Sequence, residues 1–316
     1  MKALLKISGI VLACFVLVTS LALLSIREPD RSVEELSVRW APSPSTFVDI
    51  AGMSVHLRDE GPRDDAEPIL LVHGTSASLH TWEGWVEGLR GTRRVITVDL
   101  PGFGLTGPAP DGDYSIAAYT RFIVQVLDAL KVERAVVGGN SLGGQIAWET
   151  AAAFPQRVSR LVLVNAGGYP FVPESMPIGF VIARTPVLSK FMEWVLPRSV
   201  LEDSVRSVYG DPSQVTPALV DRYFELTLRE GNRAALAARF RLPLSGDSMQ
   251  RIPGLAQPTL IIWGGQDRLI PPDSAERFHR DIAGSRLVVF EDLGHVPHEE
   301  DPQRTLAAVT AFLSTP

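Results

Sequence analysis

Short apolar runs alternate with helix-forming segments along most of the chain. The inner runs, ILLVHG, VITVDL, AVVGGN, LVLVNA and TLIIWGG, are continuous in apolar residues. Such runs are typical of parallel strands that are covered on both faces of a sheet. We therefore predict strands at 46–50, 53–59, 68–73, 94–99, 134–139, 159–165, 258–264 and 286–291, and helices most clearly at 115–130, 142–154, 273–282 and 301–313.

The first two predicted strands differ from the others. Residues 46–59 alternate between apolar and polar positions, which predicts an antiparallel hairpin that turns at Ala51-Gly52 on one edge of the sheet. Together the pattern predicts an α/β fold, with a mostly parallel eight-stranded sheet flanked by helices.

One long segment interrupts the alternation. Between about Tyr169 and Leu255 the chain has helix-like stretches broken by prolines and no convincing strand. A segment of this length is too long for a simple loop. We predict an inserted helical lid over the carboxyl ends of the strands, where open α/β sheets bind ligands. The predicted domains are core residues 46–168, the lid at 169–255 and core residues 256–316.

The N-terminus is predicted to anchor the chain in a membrane. Residues 7–26 (ISGIVLACFVLVTSLALLSI) are mostly apolar and have the length that a transmembrane helix needs, about 20 residues. Lys2 and Lys6 precede this run, whereas the charges that follow it cancel. The positive-inside tendency predicts a cytoplasmic N-terminus and a catalytic domain on the extracytoplasmic side. Cleavage of a signal peptide and secretion is an alternative, although Ser20-Leu21-Ala22 is a poor cleavage site.

Composition and charge exclude some kinds of site and argue against some kinds of partner. Cys14 is the single cysteine, so an internal disulfide and a cysteine-based metal site are excluded, while lipid modification of Cys14 is a further alternative for the anchor. The net charge of −6 and the lack of a basic cluster argue against nucleic acid as a partner. We expect no cofactor and no metal, and the oligomeric state stays open. Residues 27–45 are polar and contain three prolines, which predicts a linker.

The strongest chemical signal is the sequence GGNSLGG at 138–144. A β-branched run leads into Gly-x-Ser-x-Gly, and a helix-forming segment follows at once. In this strand–turn–helix context a serine is held in strained backbone geometry with its hydroxyl exposed. Small residues at 139 and 143 avoid collisions where strand and helix pass close to the turn. The motif therefore predicts Ser141 as a nucleophile.

A serine nucleophile needs a base and a group that orients the base. Asp267 ends one predicted strand and His295 lies in the loop after the next, so both come to the edge of the sheet where Ser141 emerges. His298 is the alternative to His295, and Asp99, which also ends a strand, is the alternative to Asp267. We favour Asp267 and His295.

An oxyanion intermediate also needs hydrogen-bond donors. The sequence LLVHGTSA at 70–77 places a loop of small residues directly after a strand. The backbone N–H groups of Thr75 and of Leu142, the residue after the nucleophile, are the predicted oxyanion hole.

These motifs together resemble the α/β-hydrolase superfamily, from about Thr46 to the C-terminus. The matching segments are HGTSAS (73–78), DLPGFGLT (99–106), GNSLGG (139–144), WGGQDRLIPP (263–272) and LGHVPHEEDP (293–302). The resemblance implies the sheet, the helical cap and the triad of Ser141, Asp267 and His295.

The branches of the superfamily differ at single positions. Dehalogenases and epoxide hydrolases use an aspartate where this chain has Ser141, and carbon–carbon hydrolases of aromatic meta-cleavage products typically have a tryptophan where it has Val296. The chain most resembles serine esterases and lipases, including bacterial lipases and monoacylglycerol lipases with an N-terminal membrane helix.

The resulting hypothesis is a membrane-anchored hydrolase of short acyl or monoacylglycerol-like carboxylic esters. Acyl transfer, a haloperoxidase-like use of the same triad, and a ligand-binding protein without turnover are the alternatives. Apolar residues of the predicted lid either line an acyl pocket or pack the lid onto the core; they are Phe171, Met176, Phe180, Phe191, Met192, Trp194 and Leu196.

Overall fold

A computed structural model describes residues 27–242 and 247–315, and they contain one eight-stranded sheet. Its strands are β1 (Thr46–Ile50), β2 (Met53–Glu60), β3 (Ile69–Val72), β4 (Val95–Val98), β5 (Ala135–Asn140), β6 (Val158–Val164), β7 (Thr259–Gly264) and β8 (Arg286–Phe290). Their order is β1-β2-β4-β3-β5-β6-β7-β8. Strands β3 to β8 are parallel, while β1 and β2 form an antiparallel hairpin at the edge. The predicted sheet is therefore confirmed.

Helices cover both faces of this sheet. In chain order they are α1 (Val33–Trp40), α2 (Glu83–Leu89), α3 (Ile116–Ala129), α4 (Leu142–Ala153), α5 (Ile178–Arg184), α6 (Pro186–Met192), α7 (Arg198–Val208), α8 (Pro217–Thr227), α9 (Asn232–Phe240), α10 (Asp273–Asp281), α11 (Pro297–Glu300) and α12 (Pro302–Leu313). Trp148 of α4 and Phe278 of α10 are fully buried against one face, and Trp85 of α2 and Phe312 of α12 are buried against the other.

Helix α1 lies inside the segment that was predicted to be a linker. Its first turn is capped by the hydroxyl of Ser32, which accepts a hydrogen bond from the Glu35 N–H at 3.2 Å. Leu36 is buried against Leu105 and Leu226, and Trp40 donates through its indole N–H to Glu225 at 2.7 Å. The prolines and polarity of residues 27–45 predict a linker, but packing onto α8 makes Val33–Trp40 helical.

Helices α5 to α9 form an insertion between β6 and β7, and within residues 169–242 and 247–255 the structure has no strand. We call Ile178–Phe240 the helical insertion. Across residues 27–242 and 247–315, no helix combines the length and apolar character that crossing a membrane requires. The predicted membrane span at residues 7–26 lies outside the described residues.

Candidate active site

Ser141 sits in a strained turn between β5 and α4. Its backbone has φ 55° and ψ −116°, a left-handed conformation that L-residues rarely adopt. The flanking glycines make this turn possible: a Cβ at Gly139 would collide with the backbone of Gly143, and a Cβ at Gly143 would collide with the carbonyl of Val72. The Ser141 carbonyl accepts hydrogen bonds from the N–H groups of Gln145 and Gly167, both at 3.0 Å, which fixes the turn further.

Asp267 and His295 meet at the same edge of the sheet. The Nδ1 atom of His295 lies 2.8 Å from Oδ2 of Asp267, and both side chains are buried. The other carboxylate oxygen of Asp267 accepts hydrogen bonds from the N–H groups of Leu269 at 2.9 Å and Ile270 at 3.0 Å. The loop after β7 thereby fixes the carboxylate, and the carboxylate orients the imidazole.

Asn165 is a site residue that the sequence analysis missed. Its Nδ2 donates to Oδ2 of Asp267 at 2.6 Å, and its Oδ1 accepts from the Gly264 N–H at 3.2 Å. It follows β6 directly and has a positive φ of 43°, which asparagine tolerates better than most residues. An asparagine after an apolar strand is the only signal of this role in the sequence.

The loop that carries His295 is tied to the helical insertion. The His295 N–H donates to the carbonyl of Val208 at 2.8 Å, and the His295 carbonyl accepts from Nδ2 of Asn140 at 2.9 Å. The carboxylate of Glu300 accepts hydrogen bonds from the N–H groups of Gly294 at 2.9 Å and Gly210 at 2.7 Å. Burial raises the pKa of Glu300 to about 7, although these backbone hydrogen bonds act in the opposite direction.

Both alternative residues have other partners. His298 stacks on Trp82 at a centroid distance of 4.1 Å, its Nε2 lies 2.9 Å from the Thr81 hydroxyl, and burial lowers its pKa to about 3. Asp99 pairs with Nδ1 of His56 at 2.7 Å, and both side chains are fully buried. Burial alone would raise the pKa of Asp99, but His56 holds it well below the usual range. The geometry therefore pairs His295 with Asp267. His298 and Asp99 are buried elsewhere and are bound to other partners.

Two cavities meet at Ser141. The smaller has a volume of about 80 Å³ and is lined by Ser141, His295 and apolar residues of the helical insertion. The larger, of about 400 Å³, extends from Ser141 to Val172 and Arg184 and falls in the size range of small-molecule sites.

Most of the apolar residues proposed for an acyl pocket line these cavities. Phe180, Met192 and Leu196 line the smaller cavity, and Phe171, Met176 and Phe180 line the larger one. Phe191 and Trp194 line neither; their relative exposures are 48% and 62%, so they face solvent. Helical spacing alone did not distinguish the inner face of α6 from its outer face.

The predicted oxyanion donors also lie beside Ser141. Leu142 is the first residue of α4, where a backbone N–H has no partner within the helix. Thr75 lies in a turn in which the Ala77 N–H donates to the Gly74 carbonyl at 3.3 Å. Thr75, Ser141 and Leu142 line the larger cavity together. Among residues 27–242 and 247–315, no group of three His, Cys, Asp or Glu is arranged to hold a metal ion.

This combination of sheet, helical insertion and site defines a class of protein. Strands β5, β7 and β8 carry a serine in a strained turn, an aspartate and a histidine at one edge of a mostly parallel sheet. The chain belongs to the α/β-hydrolase fold family, whose model matches residues 67–302.

Curated relatives and solved structures agree with this assignment. An uncharacterized protein of Mycobacterium tuberculosis is 34% identical over 266 residues, covering 78% of this chain and 75% of the relative. The 2-hydroxymuconate semialdehyde hydrolase of Pseudomonas sp. strain CF600 is 30% identical over 284 residues, covering 87% and 95% of the two chains. The structure of a meta-cleavage product hydrolase from Pseudomonas fluorescens IP01 superposes with a TM-score of 0.74 at 27% identity, covering 86% and 97%. The Pseudomonas sp. relative and the Pseudomonas fluorescens structure both carry the names of hydrolases.

Proposed function

We propose that this hydrolase cleaves carboxylic esters through a Ser141–His295–Asp267 triad and an acyl-enzyme. The observation that carries the proposal is the His295–Asp267 hydrogen bond of 2.8 Å beside a cavity that Ser141 also lines. Because Asp267 engages Nδ1 of His295, the Nε2 atom is left for the serine hydroxyl. The strained turn keeps that hydroxyl at the cavity wall.

The reaction then takes two steps. Oγ of Ser141 bonds to the acyl carbon while its proton passes to His295, and the N–H groups of Thr75 and Leu142 hold the oxyanion. The acyl carbon–alkoxy bond breaks, and the leaving alcohol takes the proton from His295. Water then attacks the acyl-enzyme, with His295 as base, and releases the carboxylic acid and free Ser141.

The cavity walls favour an apolar acyl group. In the smaller cavity the insertion contributes Phe180, Met192 and Leu196 beside Ser141 and His295. A short acyl or monoacylglycerol-like ester matches such a lining. In this proposal the helical insertion acts as the lid, and the predicted span at residues 7–26 holds the enzyme at a membrane.

Carbon–carbon bond hydrolysis is the second candidate. Two observations favour it. One is the name of a relative, 2-hydroxymuconate semialdehyde hydrolase. The other is that the wall of the larger cavity contains a buried cation, Arg239, and a cation suits an acidic substrate. Val296 stands where such enzymes typically have a tryptophan after the histidine, and for that reason ester hydrolysis is our first choice.

The test uses the full chain in detergent. A series of p-nitrophenyl and monoacylglycerol esters is offered beside 2-hydroxymuconate semialdehyde, with Ser141→Ala as the matched variant. We expect ester turnover that Ser141→Ala loses, and labelling of the wild type alone by a fluorophosphonate. Turnover of the semialdehyde but of no ester would select the second candidate, and full ester activity in Ser141→Ala would refute the triad.

A further inference from the structure

Exposed apolar side chains are concentrated in the first part of the helical insertion and in the loop that precedes it. Seven of the nine large apolar residues that are exposed among the described residues lie between 172 and 194. We call them the apolar patch: Val172, Ile178, Val181, Val187, Leu188, Phe191 and Trp194. Single exposed apolar residues are normal, but such a concentration within 23 residues of the chain is typical of a surface that contacts something apolar.

The chain enters the described structure at this patch. The Glu28 N–H donates to the Trp194 carbonyl at 3.2 Å, and the guanidinium of Arg27 lies 5.4 Å from the centroid of the Trp194 ring. The predicted membrane span ends at Ile26, one residue before Arg27. Arg27 and Glu28, the two residues that follow the predicted span in the sequence, therefore both contact Trp194.

The larger cavity opens at the same face. Its wall includes Ser141 at one end, and Val172 and Arg184 at the other. Val172 is 84% exposed and Arg184 is exposed, so this end reaches the surface that carries the patch. A molecule that enters beside Val172 can therefore approach Ser141 through the cavity.

The charges beside the patch suit a membrane surface. Arg27, Arg184 and Lys190 are all exposed, and Lys190 has one acidic neighbour, Glu193, at 3.3 Å. Tryptophan and basic side chains prefer the boundary between lipid headgroups and acyl chains.

We infer that the apolar patch docks on the lipid bilayer that holds residues 7–26, and that the larger cavity receives its substrate from that bilayer. The docking inference rests on the contacts of Trp194 with Arg27 and Glu28, the residues that follow the predicted span in the sequence. The inference about substrate entry also rests on the proposed function. A second copy of the chain, or residues 7–26 folded back onto the patch, would cover the same surface without lipid contact.

Trp194 itself reports on docking. The full chain is reconstituted into vesicles of phosphatidylcholine and phosphatidylglycerol whose acyl chains are brominated or not, because bromine quenches tryptophan that is in contact with acyl chains. Trp82, Trp85, Trp148 and Trp263 are fully buried in the protein. We expect quenching that disappears in Trp194→Phe. The same result in Ser141→Ala would show that docking does not depend on turnover, so docking can stand even if the proposed function fails.

The double variant Val187→Asp/Leu188→Asp tests delivery of the substrate. Charged side chains at these two positions oppose contact with acyl chains, so hydrolysis of a vesicle-embedded monoacylglycerol should fall at least about tenfold. Hydrolysis of soluble p-nitrophenyl butyrate should stay unchanged, since neither residue lines a cavity at Ser141. Val38→Asp, at an exposed apolar residue of α1 outside the apolar patch, is the control and should change neither activity.

Three results would overturn the inference. The first is Trp194 emission that brominated lipid leaves unquenched, as expected if residues 7–26 or another copy cover the patch. The second is an equal loss of soluble and vesicle-embedded ester hydrolysis in the double variant. The third is a change in the oligomeric mass of the double variant in detergent, with no change in the quenching of Trp194. That result would assign the apolar patch to self-association.

Discussion

The backbone N–H of His295 donates a hydrogen bond to the carbonyl of Val208, at an N···O distance of 2.8 Å. Val208 is the last residue of α7, so the proposed catalytic base is held in part by the helical insertion and not only by the sheet. The insertion and the histidine loop are therefore mechanically connected. Changes at their contacts should alter stability and turnover together.

Arg222 of α8 and Glu299 of α11 form a largely buried ion pair between the helical insertion and the histidine loop, with Nη2 of Arg222 2.7 Å from Oε2 of Glu299. The Tyr209 hydroxyl also donates to Glu299, at 2.7 Å. Burial alone would raise the pKa of Glu299, but Arg222 and these hydrogen bonds keep it below the usual value. We expect Arg222→Ala to lower the free energy of unfolding by about 3–5 kcal/mol, because it leaves Glu299 buried without its counter-charge.

Urea unfolding of the full chain in detergent measures this loss. The double variant Arg222→Met/Glu299→Gln should recover much of it, because it removes both charges together. Arg121→Ala, at an exposed arginine of α3, is the matched control and should change the free energy of unfolding by less than about 0.5 kcal/mol. Equal stabilities of Arg222→Ala and wild type would contradict a buried, energetically important pair.

Glu300 should make stability depend on pH. Its pKa is about 7 in the folded protein, above the ordinary value of 4.5, so the native state holds the proton more tightly than the unfolded chain. The stabilisation is complete below pH 4.5 and is lost as the pH rises through 7, by at most about 3 kcal/mol. In Glu300→Gln the free energy of unfolding should not decrease in this way as the pH rises through 7.

Urea midpoints at several pH values between 4.5 and 8 provide the comparison. Glu87→Gln, at an exposed glutamate of α2, should keep the pH dependence of the wild type. A parallel pH dependence in Glu300→Gln and wild type would show that Glu300 titrates normally.

The sheet and the main site residues could be predicted because their signals are local. Continuous apolar runs mark buried parallel strands, and Gly-x-Ser-x-Gly between a strand and a helix marks a strained turn at Ser141. Asp267 and His295 follow adjacent strands, so parallel topology alone brings them to one edge. In the structure His295 and Asp267 are in contact and Ser141 lies in a turn with positive φ, whereas their catalytic roles stay a prediction.

What the sequence did not indicate depends on contacts between distant segments. Helix α1 is ordered by packing of Leu36 on Leu105 and Leu226, which its own residues do not encode. Asp99 and Asp267 both end strands, and only the fold reveals that Asp99 is already paired with His56. In α6 the sequence likewise does not indicate that Met192 faces the cavity and Phe191 faces solvent, because this depends on how the helix packs on the core.

Ser141 offers a test of backbone strain that is separate from chemistry. Both Ser141→Ala and Ser141→Gly remove the proposed nucleophile, so each should lose at least about 10³-fold in kcat. Only glycine adopts the positive φ of this turn without a steric penalty. We therefore expect Ser141→Gly to be more stable than Ser141→Ala by about 1 kcal/mol in urea unfolding. Equal stabilities of the two variants would mean that the turn is not strained.

Asn165 should act as a positioning residue for the proposed triad. It donates to Asp267 at 2.6 Å but lines neither cavity at Ser141, so its loss should lower kcat and leave KM nearly unchanged. A hydrogen bond to a charged group contributes about 1.5–3 kcal/mol, which corresponds to a fall in kcat of about 10- to 100-fold in Asn165→Ala.

Asn165→Asp tests whether the Nδ2 donor of Asn165 matters apart from the positive φ of its backbone. Aspartate tolerates the same positive φ but places a second carboxylate beside Asp267. Repulsion between the two carboxylates favours uptake of a shared proton, so the activity of Asn165→Asp should fall as well and its pH–rate profile should move to higher pH. Asn165→Ala lacks the added charge and should keep the pH profile of the wild type. If Asn165→Asp retained wild-type kcat and an unshifted profile, the amide of Asn165 would have no part in orienting Asp267.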